Sequence, residues 1–189
     1  AIENGLSNYD RRHGWRGPEG QLDMRPLTTI SQDAEGFNVE SLDETAAAAA
    51  LDEFDVIGDL VPALVVEADA EQADIYTQRG QWITLQLADV RWARAHLALD
   101  ALGRRPDRVD GVIERGDVIR LRLNDAGEWQ LTQIPQAQAA LVSMDAETGA
   151  VKALMGGLDF GQNQFNRITQ SQRQPGSAFK PFVYAAALD

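Results

Sequence analysis

Between Pro62 and Gln133 the hydropathy of the chain alternates with a period of two, and this narrows the fold more than any other feature. Residues 63–68, 74–77, 81–87, 117–123 and 128–133 read as short strands. Successive side chains of a strand face opposite sides, so alternation gives each segment one apolar face. Turn residues lie between them: Arg79-Gly80 closes one hairpin and Asn124-Asp125-Ala126-Gly127 another. A lone hairpin is marginal in water, so these segments have to share one core. Their spacing predicts a small antiparallel barrel.

Helical signals precede the strands. Ser41-Leu42-Asp43-Glu44 reads as a capping box, with serine at the helix start and glutamate three positions on. A helix then runs through the alanines at 46–50, with Leu51, Phe54 and Ile57 on one face and Asp52, Glu53 and Asp55 off it. Gly58 and Pro62 mark its end. Residues 1–22 are polar, rich in arginine and punctuated by Gly14, Gly17, Pro18 and Gly20. They read as a linker, or as a segment that needs partner structure to order it. The expected fold is therefore mainly β with a short α-helix, the barrel being of the oligonucleotide/oligosaccharide-binding (OB) type. The composition shifts again after Ile134-Pro135, which puts a boundary near residue 136. The expected organisation is 1–22, 23–136 and 137–189.

Charge excludes one use of such a barrel. The net charge is −12, and residues 33–74 hold 13 of the 29 acidic residues with no lysine or arginine. That surface repels phosphate backbones, so nucleic acid is not the expected partner. The acidic segment reads as a solvated helix face and loop, or as a docking surface for a basic partner. With no cysteine there are neither disulfides nor thiolate metal sites, and His13 has no companion ligands, so neither metal nor cofactor is expected. No apolar run approaches the roughly 20 residues of a membrane span. Trp82 and Trp129 read as core residues, and Trp92, between Arg91 and Arg94, as the best candidate for an exposed contact.

Chemistry is concentrated in Gln174-Pro175-Gly176-Ser177-Ala178-Phe179-Lys180-Pro181-Phe182. After a Pro-Gly turn signal, Ser177 and Lys180 stand at i and i+3, positions that share one helix face. A serine becomes a nucleophile only beside a base, and a partly buried, deprotonated lysine is one. The bland alternative is a capping serine with a solvated lysine one turn later. Lys152 and Lys180 are the only lysines, against 15 arginines and six serines, so a chance Ser-x-x-Lys is uncommon here.

The flanks favour chemistry. Phe165-Asn166-Arg167-Ile168-Thr169-Gln170 and Arg173-Gln174-Pro175-Gly176-Ser177-Ala178-Phe179-Lys180-Pro181-Phe182 closely resemble the transpeptidase signature of class A penicillin-binding proteins. So do Ala140-Leu141-Val142-Ser143-Met144-Asp145 and Thr148-Gly149-Ala150-Val151-Lys152-Ala153-Leu154-Met155-Gly156-Gly157, a hairpin that opens the transpeptidase domain in that family. Tyr9-Asp10-Arg11-Arg12-His13-Gly14-Trp15-Arg16-Gly17-Pro18 is similar to the linker after the glycosyltransferase domain in the family's 1A type. Trp92-Ala93-Arg94 is similar to a recurrent stretch of its inserted OB-like domain.

The resemblance implies a bifunctional peptidoglycan glycosyltransferase and D,D-transpeptidase on the periplasmic side of the bacterial inner membrane. Ser177 would attack the penultimate D-Ala carbonyl of a stem peptide, with Lys180 accepting its proton, and β-lactams would acylate the same serine. Ser177's own N–H and the helix dipole would help hold the oxyanion. An alternative reading is a non-catalytic OB-like module that docks a regulatory protein or glycan through the acidic segment 33–74; membrane contact would come only through a segment outside this sequence. The chain opens on Ala1-Ile2-Glu3-Asn4 and reads as an excised piece of a longer protein. The family's other two motifs, Ser/Thr-x-Asn and Lys-Thr/Ser-Gly, do not occur in it. The piece is therefore expected to be inactive, with an incomplete transpeptidase segment that is loosely ordered over 137–189.

Overall fold

The computed structural model describes residues 2–35, 37–98, 101–156, 168–170, 172 and 174–188. The chain divides into two compact units, Ala1–Gln138 and Ala139–Asp189. In the first, the elements run α1 (Ile2–Arg12), β1 (Gly20–Gln21), β2 (Thr28–Gln32), β3 (Asn38–Leu42), α2 (Glu44–Leu51), β4 (Val61–Ala68), β5 (Gln72–Thr77), β6 (Trp82–Gln86), α3 (Leu87–Val90), β7 (His96–Ala98), β8 (Ala101–Leu102), β9 (Asp117–Leu123) and β10 (Trp129–Thr132). The second holds β11 (Leu141–Met144), β12 (Val151–Met155) and α4 (Lys180–Leu188).

Residues 61–66 are apolar at every position, which suits a strand covered on both faces. They form most of β4, the middle of an antiparallel sheet ordered β1-β9-β4-β5-β6. Strand β10 shares an edge of β9 with β1: Gly20 pairs with Val118 near the start of β9 and Trp129 with Leu123 at its end. The sheet curls until β10 comes alongside β6 without pairing to it, giving the OB-like barrel. Parity then sorts the side chains. Ala63, Val65, Ile75, Ile119 and Leu121 join the barrel interior with Leu85 and Leu131. Leu64, Tyr76 and Val118 face the other way, under Leu27, Ala47 and Leu51. Helix α2 therefore covers the outside of the sheet.

The helix begins later than the capping box predicts. Ser41 lies in β3, opposite Thr29, and Asp43 is the cap, its Oδ1 accepting the N–H groups of Thr45 and Ala46 at 3.0 Å each. Two capping residues stand side by side here, and strand pairing claims the first. The helix also stops at Leu51; Ile57 instead forms a tight turn with Leu60 around Gly58. Asp43→Ala is expected to cost about 1 kcal/mol in urea unfolding, and Ser41→Ala less than about 0.5 kcal/mol.

Three elements had weak sequence signals. The β2–β3 hairpin is mostly polar and lacks apolar alternation, and β7–β8 is too short to show a period. Residues 2–12, polar enough to read as linker, are helical because the barrel itself orders them: Leu6, Ser7 and Asp10 are buried.

Candidate functional site

The candidate nucleophile lies in the second unit, and local chemistry explains its backbone. Pro175 takes up a helical conformation and Gly176 follows at φ 51, a left-handed value that suits glycine. A 3₁₀ turn over Gly176–Phe179 then carries Ser177 into α4, which starts at Lys180. Residues i and i+3 eclipse one another in a 3₁₀ turn, so Ser177 and Lys180 lie on one side of it. The Lys180 backbone N–H donates to the Ser177 carbonyl. Both side chains are exposed, and among the described residues the Ser177 hydroxyl and Lys180 ammonium share no hydrogen bond.

The surroundings are exposed too. Phe179 and Phe182 pack ring to ring at 5.7 Å, yet both remain open to solvent with Val183, Tyr184 and Leu188. In the hairpin, Leu141 pairs with Met155 and Val142 with Leu154, so apolar side chains occupy both faces, again exposed. Its turn is well made: Asp145 Oδ1 accepts from the Glu147 and Thr148 N–H groups and the Thr148 hydroxyl. Those bonds hold the Asp145 carboxyl below the usual range, backbone donation from Thr148 contributing most. No described residue of this unit is buried. Gly157, Phe165-Asn166-Arg167 and Arg173, which carry part of the family resemblance, lie outside the described residues.

The tryptophans exchange the roles expected of them. Trp82 is 49% exposed, donating to Glu44 Oε1 at 2.9 Å and meeting Tyr76 edge-on. Trp82 and Ile83 are both apolar, and the parity of Leu85 decides which one turns inward. Trp92 instead packs on the barrel core, edge-on to Trp15, with Nε1 donating to the Leu131 carbonyl at 3.2 Å and the Arg11 guanidinium over its ring. Trp129 packs against the same core, half-buried.

Many acids of 33–74 have local duties. Glu40 pairs with Arg115, Asp59 lies 3.7 Å from Arg122, and Asp69 accepts the N–H groups of Glu71 and Gln72. No helix among the described residues is long and apolar enough to cross a membrane.

Residues 15–137 match the penicillin-binding protein OB-like domain, and residues 139–189 match the penicillin-binding protein transpeptidase domain. Over its whole length the chain is 36% identical to penicillin-binding protein 1A of Pseudomonas aeruginosa and 38% identical to that of Escherichia coli, spanning 21% of each. The crystal structure of penicillin-binding protein 1A from Haemophilus influenzae superposes with a TM-score of 0.71 at 34% identity, over 99% of this chain and 24% of that one. The chain thus spans about a fifth of the length of the curated relatives it matches. With an OB-like barrel upstream and a Ser-x-x-Lys turn downstream, each in the part of the sequence that its match covers, the chain belongs to the penicillin-binding proteins.

Proposed function

We propose that the chain is the OB-like and nucleophile-bearing portion of a bifunctional peptidoglycan synthase, with Ser177 the nucleophile and Lys180 its general base. Ser177 Oγ adds to the penultimate D-Ala carbonyl carbon while Lys180 takes the hydroxyl proton. The C–N bond breaks, the proton passes to the departing D-Ala amine, and the stem peptide remains as a seryl ester. An amine of a neighbouring stem then attacks that ester, forming the cross-link and returning the proton to Ser177. A β-lactam is opened by the same attack, leaving a stable ester. The observation that carries this reading is the 3₁₀ turn that sets Ser177 one turn ahead of Lys180 at the mouth of a helix.

Glycan polymerisation and anchoring on the periplasmic side of the inner membrane are assigned to other parts of the longer protein. A regulatory protein is the partner proposed for the OB-like domain; its β2–β3 hairpin offers exposed Ile30, Phe37 and Val39, the last two within the acidic segment 33–74.

The experiment is peptide mapping of the full-length protein after reaction with a fluorescent penicillin. The adduct is expected on Ser177, and Ser177→Ala is expected to take up none. Stable label on another residue, or labelling retained in Ser177→Ala, overturns the assignment.

A further inference from the structure

Asp10, buried near the end of α1, is the centre of a polar knot. Arg16 grips both its oxygens, Nη1 on Oδ1 at 3.0 Å and Nη2 on Oδ2 at 2.8 Å. Two more donors come from the chain leaving β10. Gln133 Nε2 reaches Oδ2 at 2.7 Å, and the Gln136 backbone N–H reaches Oδ1 at 3.2 Å. The same side chains also bind the backbone around them. Arg16 Nη2 donates to the Ile134 carbonyl at 2.8 Å and Gln133 Nε2 to the Gly14 carbonyl at 2.8 Å, while Gln133 Oε1 accepts from the Arg16 backbone N–H at 3.1 Å.

The contacts continue along the helix. Arg11 Nη2 donates to the Leu131 carbonyl at 2.8 Å, and the Ser7 and Thr132 hydroxyls lie 3.5 Å apart. Ser7, Asp10 and Arg11 stand at i, i+3 and i+4, on one face of α1. Residues 131–134 and Gln136 are therefore all held by groups from α1 or the turn after it. That turn tolerates little change: Gly14 has φ 91, and a Cβ there would lie 2.7 Å from the Arg94 carbonyl oxygen.

A buried carboxylate is costly unless its oxygens are satisfied; each oxygen of Asp10 accepts from two donors, and such a bonded cluster rigidifies what it joins. Here it joins points 126 positions apart in sequence, where the chain enters the barrel and where it leaves.

We propose that the knot is a positioning device that fixes the chain at Gln136 directly to α1. The residues matched to the transpeptidase domain begin at 139, three positions after the Gln136 that Asp10 holds. A displacement of α1 is passed across the knot to Gln136 without travelling through the barrel strands. Asp10 acts here as a positioning residue, and the inference stands whether or not Ser177 is the nucleophile.

The test uses the 189-residue chain, whose lack of cysteine allows spin labels at Asn8→Cys and Gln138→Cys without background. In Asp10→Asn the Gln136 amide is expected to exchange at least about tenfold faster and the label-to-label distance distribution to broaden, while the Ile119 and Leu121 amides keep their protection. Arg16→Lys keeps the charge but cannot bridge both carboxylate oxygens and Ile134. It should give the same pattern at smaller amplitude, and it decides the matter if Asp10→Asn does not fold. Unchanged Gln136 exchange and unchanged distance width in the folded variants overturn the proposal. Protection lost evenly across β9 and Gln136 also overturns it, because Asp10 would then be an ordinary stabilising residue.

Discussion

Incubated with a fluorescent penicillin, the 189-residue chain is expected to acquire label at least about 10⁴-fold more slowly than the full-length protein, because a positioned base contributes roughly 10²–10⁴ and an oxyanion hole roughly 10²–10³. Among the described residues no base is positioned on the Ser177 hydroxyl. The Lys180 ammonium makes no hydrogen bond to its hydroxyl among the described residues, and both groups stand in solvent. The segment matched to the transpeptidase domain contains neither Ser/Thr-x-Asn nor Lys-Thr/Ser-Gly. Phe182, Tyr184 and Leu188 of α4 are exposed. The attack then has to find its geometry by diffusion, and the advantage of a preorganised site is lost. Intact-protein mass spectrometry over hours separates the outcomes. Labelling within tenfold of the full-length rate would mean that Ser177 is activated by these residues alone, and it would sink the expectation of an inactive piece.

How far the sequence carries the fold depends on where each residue finds its partners. The strands of the barrel were legible because alternation is written locally: 117–123 is Asp117–Leu123 in the structure, and Asn124 closes the next turn by accepting from Ala126 and Glu128. Helix α1 was not legible, since the groups that order it come from Thr132, Gln133 and Gln136. Ser41 failed for a related reason. Its side chain suits a cap, but its backbone is taken by Thr29 across the β2–β3 hairpin. Trp82 and Trp92 show the same limit: parity told which of Trp82 and Ile83 faced inward only once Leu85 was seen to be buried, and the partners that take Trp92 onto the core are the distant Trp15, Arg11 and Leu131. The site was legible by the opposite route. Ser177 and Lys180 belong to one turn, so their spacing in sequence is their spacing in space, whereas the groups meant to act with them are separate motifs that the sequence lacks.

Leu121→Ala is expected to cost about 3–5 kcal/mol and to lower the melting temperature of the chain by roughly 10 °C, the large end of core truncations. Leu121 is fully buried at the middle of the sheet, opposite Val61 on β4 and Leu131 on β10. Strand β9 is paired on both edges at Leu121, so the strands cannot close over the space a leucine leaves, and the cavity cost adds to the lost burial. Leu51→Ala tests the other face of the same sheet. It is equally buried, but it lies at the end of the eight-residue α2, which can shift toward the sheet and recover part of the loss. About 2–3 kcal/mol is expected there. Because the two leucines belong to different clusters, their effects should add to within about 0.5 kcal/mol. Ile30→Ala, at a residue 73% exposed on the β2–β3 hairpin, should change stability by less than about 0.5 kcal/mol. Urea unfolding followed by tryptophan fluorescence measures all four variants. A Leu121→Ala cost below about 1 kcal/mol would mean that the barrel interior can collapse around a missing side chain. A double-variant cost far from the sum would mean that the two faces of the sheet are one core rather than two.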